Sequence, residues 1–192
     1  EAEHFSAGAN LMLLLLEAQE GNWDEVDLMV RSFQAATMAL KLSAVPVVVA
    51  PAGLALGGAC EVCLHADRVQ AAAETYLGLV ETGVGLIPAA GGSKEMLLRA
   101  VDRAGPGEPG PHVQTAFMTM ALAKVSSSAA DARRLGYLRD VDAVTMNRER
   151  VLSDAKDTAL RRAREGYLPP APRTAVPVGG ADHGISLSGE DR

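Results

Sequence analysis

The chain has 192 residues, 48% of them apolar, and a net charge of −6 from 18 basic and 24 acidic side chains. This length and apolar content exclude a disordered segment and allow one domain with a buried core, while the acidic balance argues against a nucleic-acid binder, which carries a basic excess. Two cysteines are too few for a disulfide framework, the first residues lack the basic stretch of a secretory leader, and the longest apolar run, Leu11 to Leu16, is too short to cross a bilayer, so the expectation is a cytoplasmic protein with reduced thiols and no membrane partner.

Leu11 to Gln19 reads as a short, strongly apolar helix, interrupted by Gly21-Asn22. Asp24 to Leu42 follows, with Val26, Met29, Val30, Phe33, Ala36 and Leu40 near helical spacing and Asn22 or Asp24 as its cap. After a connector over Ser43 to Val45, the β-branched run Pro46-Val47-Val48-Val49-Ala50 predicts a buried strand. Pro51-Ala52-Gly53 ends it, and Gly57-Gly58 opens a helix to about His65. Asp67 to Ala72 is a second strand and Tyr76 to Leu79 a short third. Strand, turn, helix, strand is a parallel α/β unit. Gly83 to Gly92 reads as a loop, and Ser93 caps a helix to about Val101. Asp102 to Pro111 is dense in Gly and Pro and predicts a surface loop. Helices follow at about Val113 to Ala123, Ala129 to Leu135 and Arg148 to Glu165. Ser128 and Asp131 initiate the second of these, and Gly136 is its C-cap. The first half is therefore expected to be mixed α/β and the second helical. From Tyr167 the composition shifts to Pro169, Pro170, Pro172, Pro177 and several glycines, a linker or extended arm.

The chemistry concentrates in Gly57-Gly58-Ala59-Cys60-Glu61-Val62-Cys63-Leu64. An isolated carboxylate in such apolar company is costly unless it is paired or protonated. Glu61 is either a satisfied structural group or a chemical one. A second glutamate, Glu81, lies in the Gly-rich stretch Leu77 to Gly92, and reads as a solvated loop residue or as the other half of an acid/base pair. Cys60 and Cys63 form a C-x-x-C, either a redox pair or two small buried residues at i and i+3 of one helix. No second ligand pair for zinc is present, nor are a G-x-S-x-G, a Walker A or an H-E-x-x-H. Gly83-Val84-Gly85-Leu86-Ile87-Pro88 starts like a dinucleotide fingerprint but has Pro where the third Gly belongs. His65, Glu74, Lys94 and Arg99 read as structural or solvated groups, the last two on an exposed helix face.

Three segments in order resemble the crotonase (enoyl-CoA hydratase/isomerase) superfamily: Phe5-Ser6-Ala7-Gly8-Ala9-Asn10-Leu11, Ala55-Leu56-Gly57-Gly58-Ala59-Cys60-Glu61, and Glu81-Thr82-Gly83-Val84-Gly85-Leu86-Ile87-Pro88-Ala89-Ala90-Gly91-Gly92-Ser93. The resemblance covers about residues 4 to 166. Glu74-Thr75-Tyr76-Leu77-Gly78-Leu79-Val80-Glu81, Ala123-Lys124-Val125-Ser126 and Gly166-Tyr167-Leu168-Pro169-Pro170 narrow it to the crotonase region of two-part 3-hydroxyacyl-CoA dehydrogenases. The fold it implies is a crotonase-like spiral of ββα units followed by a helical trimerisation region. Residues 1–166 would form a partial domain, α/β to about 101 and helical from about 112 to 166, without the strands that precede the oxyanion segment in the family; 167–192 would be the arm.

The resemblance also implies a function: hydration of a 2-enoyl-CoA thioester in fatty acid β-oxidation. Glu61 and Glu81 are the implied catalytic pair, with Glu61 activating water and Glu81 protonating Cα. Ala9 and Gly58 would supply the oxyanion-hole N–H groups, and Ala7, Gly8, Gly57, Pro88 and Gly91 would border the substrate. Isomerase or other crotonase chemistry, and a non-catalytic acyl-CoA-binding or assembly module, are the alternatives. No metal and no cofactor belong to this segment, because coenzyme A enters with the substrate and NAD would belong to a separate dehydrogenase domain. The implied partners are an acyl-CoA thioester and further copies of the chain, as a trimer or dimer of trimers. Asn10 departs from the Asp common in the family, and Met12 and Leu13 stand where some members place a CoA-contacting Lys.

Overall fold

The computed structural model describes residues 3–176. Asn10 caps the first helix, α1 (Leu11–Glu20), by accepting from Met12 N, and Gly21 ends it in the left-handed region. The next helix, α2 (Trp23–Lys41), is amphipathic. Asn22 precedes it without a side-chain cap bond; its amide donates to Glu17 and Glu20 instead.

A winding of strand, strand and helix follows: β1 (Val48–Val49), β2 (Gly53–Leu56) and α3 (Gly58–His65). The chain then repeats the path with β3 (Arg68–Ala72), β4 (Thr75–Gly78), a 3-10 turn at Glu81–Val84 and α4 (Gly92–Ala104). The second winding stacks on the first, so β1 pairs with β3 and β2 with β4, all parallel. This is the expected spiral. The remaining elements are α5 (Gly110–Ala121), α6 (Ala129–Leu135), β5 (Ala143–Thr145), a 3-10 turn at Arg148–Arg150 and α7 (Val151–Arg164).

Several expectations need correction. The strand predicted over 46–50 is only Val48–Val49, and the chain beyond Pro51 forms the unpredicted β2. The second half is not purely helical, because β5 pairs in parallel with β3, Gln70 opposite Ala143. Gly91, not Ser93, precedes α4; the Ser93 hydroxyl donates back to Pro88 O. Ser128 does cap α6 by accepting from Asp131 N, and Gly136 closes that helix in the left-handed region.

α3 is buried along nearly its whole length, from Ala59 to His65. A helix that is hidden all round sits in the core rather than on it. Leu77, Leu79, Met96, Tyr137 and Leu138 share its core cluster. Gly58 must be small because Phe33 of α2 lies where its side chain would be: an added Cβ would stand 2.5 Å from Phe33 Cε1. The N-terminal segment is strapped to β2, Phe5 N donating to Ala52 O, Ser6 N to Leu54 O and Leu56 N to Ser6 O. Gly8 and Ala9 are thereby held near the N-terminus of α3.

Candidate active site

A cavity of about 300 Å³ opens between the N-terminal segment, α1, α2, the start of α3 and the 80–90 stretch. Its wall is mostly apolar, with Leu14, Met29, Val30, Phe33, Val84 and Ile87 among its side chains. Apolar walls with a few converging polar groups are the usual form of a small-molecule site.

Both glutamates reach this cavity, together with Ala7, Gly8, Ala9, Gly57 and Gly58. Glu61 projects from the first turn of α3. Its Oε1 accepts from Gly92 N at 2.8 Å, and the Ala90 N–H also favours its ionised form. Burial outweighs these bonds and, with the like charge of Glu81, lifts the Glu61 carboxyl to about 7. Glu81 opens the 3-10 turn after β4. Burial raises its carboxyl too, and its Oε2 is buried without a hydrogen-bond partner among the described residues. Arg99 Nε is the other buried side-chain polar atom left without a partner among the described residues, and of the two only Glu81 borders the cavity.

The backbone supplies donors. Gly58 is the first residue of α3, so its N–H has no carbonyl one turn back within the helix, and the helix dipole favours negative charge there. Ala9 stands just before the cap of α1 on the same cavity. A carbonyl oxygen between these donors and the two carboxyls would find stabilisation for developing negative charge and groups able to move protons.

Two of the expected substrate neighbours lie elsewhere. Pro88 is buried with its carbonyl bonded to Ser93. Gly91 precedes α4 and backs onto His65, where an added Cβ would stand 2.8 Å from Nε2. Neither borders the cavity. Sequence reasoning also missed the donors at Ala90 and Gly92 and the floor built by α2. The apolar stripe of α2 carried that second signal, since Met29, Val30 and Phe33 share one face. The turn at 89–90 in the wall is pinned to the same helix, Gln34 Nε2 donating to Ala89 O and Thr37 Oγ1 to Ala90 O.

Cys60 and Cys63 are free thiols, fully buried. Burial pushes Cys63 up to about 12 and Cys60 well above its ordinary value. A redox pair needs an accessible, acidic thiol, so the structure overturns that reading and leaves two core residues. Arg99 is corrected as well. It is not on a solvated face but is drawn inward, donating to Leu64 O and Tyr137 O.

Residues 1–163 match the family model described as enoyl-CoA hydratase/isomerase, and the chain belongs to that family. A curated relative from Bacillus subtilis (strain 168), named "Probable 3-hydroxyacyl-CoA dehydrogenase", is 41% identical over 192 residues, all of this chain and 24% of its own. Among solved structures, the enoyl-CoA hydratase from Polaromonas sp. JS666 superimposes with a TM-score of 0.62 at 25% identity, over 86% of this chain and 56% of that one. The enoyl-CoA hydratase from Thermoplasma volcanium GSS1 gives 0.65 at 19% identity, over 83% and 56%. The fold is thus that of the crotonases, and the chain spans about a quarter of the B. subtilis relative and just over half of these solved chains.

Proposed function

We propose that this chain carries the hydratase chemistry of fatty acid β-oxidation: syn addition of water to a 2-enoyl-CoA thioester. The observation that carries the reading is the pair of carboxyls, Glu61 and Glu81, on one apolar cavity beside the N-terminal end of α3. Hydration needs a base for water and an acid for Cα. In this reading Glu61 activates the water and Glu81 delivers the proton, with one proton shared by the pair at any moment. Ala9 N–H and Gly58 N–H hold the thioester oxygen as it becomes an enolate. Removing one such donor costs about 3 kcal/mol of transition-state stabilisation in comparable sites. The apolar wall from α1 and α2 takes the acyl chain. The enzyme so read works in the cytoplasm, links to a dehydrogenase on the same polypeptide, and assembles as a trimer or dimer of trimers through the helices after Ala129.

The test is the loss of conjugated enoyl-thioester absorbance when crotonyl-CoA is added to the full-length protein, with Glu61→Gln alongside. Turnover that falls by roughly 10² or more in the variant supports a hydratase using this carboxyl. Turnover that survives in Glu61→Gln removes Glu61 from the hydration, whereas an isomerase would leave crotonyl-CoA unhydrated and raise the conjugated absorbance from a 3-enoyl-CoA in a reaction that Glu81→Gln abolishes. No turnover on short or long acyl chains would leave a binding or assembly module.

A further inference from the structure

His65 sits one helical turn beyond Glu61, with a side chain wholly hidden from solvent. Its Nδ1 lies 2.7 Å from Glu61 O. A carbonyl only accepts, so Nδ1 carries the proton and donates. The other nitrogen, Nε2, then accepts, and Lys94 Nζ stands 3.3 Å away to donate. Burial holds the imidazole's affinity for a second proton below its ordinary value, consistent with this neutral tautomer.

The ring also supports the loop that grips Glu61. The Nε2–Cε1 edge of His65 packs beneath Gly91, leaving no room for a Cβ there. The next residue, Gly92, donates its N–H to Glu61 Oε1. A Cβ at Gly92 would itself stand 2.9 Å from that oxygen. One imidazole therefore touches both ends of Glu61: the backbone from which the side chain springs and the turn that receives its carboxylate. The surrounding charges lock the imidazole in place. Lys94 Nζ also reaches Glu95 Oε1 at 3.1 Å, and Lys41 Nζ of α2 meets the same oxygen. Glu95 N in turn donates to Gly91 O. The cluster thus ties α2, α3 and the head of α4 together, lining a separate cavity rather than the one that Glu61 and Glu81 reach.

We propose that His65 is a positioning residue for Glu61, fixing the backbone of its helix turn and, through Gly91, the Gly92 N–H that orients its carboxylate. This rests on the hydratase reading above. His65 touches no substrate. It acts by keeping a carboxyl and its donor within the tolerance that proton transfer demands, where an error of about 1 Å costs on the order of 10²-fold.

The test is the pH dependence of crotonyl-CoA hydration by the full-length protein carrying His65→Leu, His65→Gln or Gly91→Ala, with Glu61→Gln as reference. The groups that bear on the result are Glu81 facing Glu61, and Glu95, Lys94 and Lys41 facing His65. A loosened Gly92 N–H no longer favours the ionised carboxylate, so the limb governed by Glu61, near pH 7, moves to higher pH. The expected result for His65→Leu is a kcat lowered roughly 10- to 100-fold with KM changed less than about twofold. His65→Gln keeps a donor and an acceptor and recovers most of the loss. Gly91→Ala presses a methyl against the ring and also strains a backbone at φ +103°, so it lowers kcat through the turn as well. The smaller His65→Ala, which removes the ring's hydrogen bonds without that strain, keeps the proposal tested where His65→Leu does not fold. An unchanged kcat and unmoved limb in folded His65→Leu or His65→Ala, while Glu61→Gln is inactive, overturns the positioning role. Full activity in Glu61→Gln overturns the role of Glu61 that this proposal supports, and no hydration by the unaltered protein overturns the hydratase reading itself.

Discussion

At the scale of single residues, the costliest feature is the Glu61 carboxyl. Its group is 3% exposed and titrates near 7 rather than the usual 4.5, chiefly through burial. The consequence for stability has a definite sign. In the unfolded chain the carboxyl ionises near 4.5, whereas the folded protein keeps the proton until about 7. Between these values the native state binds more protons, so stability declines as pH rises and then levels off above 7. Glu61→Gln removes that dependence. It should match the wild type in thermal melts at pH 4 and exceed it at pH 8 by up to about 3 kcal/mol. A variant less stable than wild type at pH 8 would contradict this account of the site.

At the scale of elements, the site depends on where β4 ends, because Glu81 leaves it three residues later. Tyr137, which follows α6, holds that end. Its hydroxyl accepts from Leu79 N at 3.3 Å and donates to Lys124 O at 2.8 Å. Ser126 adds a second clamp by accepting from Leu77 N. Tyr137→Phe leaves the buried Leu79 N–H unmet and frees the Lys124 carbonyl, and should cost about 1–3 kcal/mol in denaturant unfolding, with a further loss of turnover as Glu81 shifts.

Much of this level is legible from the chain. The helices declare themselves through apolar spacing and, in α6, through Ser128 and Gly136. The two catalytic candidates stand out as carboxyls in apolar, Gly-rich company. β2 and β5 are not legible, for a physical reason. Gly53-Leu54-Ala55-Leu56 carries little strand propensity of its own, and Ala143-Val144-Thr145 has the β-branched Val144 and Thr145 but is only three residues long; both become strands by pairing with β4 and β3. Arg99 misleads in the same way. A charge on a helix suggests solvent, but the carbonyls of Leu64 and Tyr137 that receive it come from distant parts of the chain.

At the scale of the whole molecule, the late residues are bolted to the early ones around the α3–β3 junction. Asp142, buried to 0% in its side chain, accepts from Val69 N and Arg139 N and pairs with the Arg139 guanidinium. Arg139 also donates to Asp67 O, and Arg162 of α7 pairs with the Asp67 carboxylate. Burial pushes the Asp142 carboxyl up, but Arg139 outweighs it and the net shift is downward. The contribution to stability is therefore present above about pH 4, the unfolded value, and is lost as pH falls through the lower folded one. Asp142→Asn should cost about 1–3 kcal/mol, since it strips the half-buried Arg139 of its counter-charge and weakens the acceptor for Val69 N and Arg139 N. The check is a urea titration at pH 7 and at pH 3, with the difference between variant and wild type shrinking at the acidic end.

The parallel ladder of β1, β3 and β5 has one more consequence, for the timing of folding. Parallel neighbours cannot be joined by a tight turn, and Val69 meets Asp142 across 73 residues. Closing so long a loop costs chain entropy before any contact repays it, which slows folding. On the ribosome the first two windings of the spiral can emerge and collapse, yet β3 keeps an unpaired edge until Thr145 has been made. That edge is the stretch most open to wrong partners during synthesis.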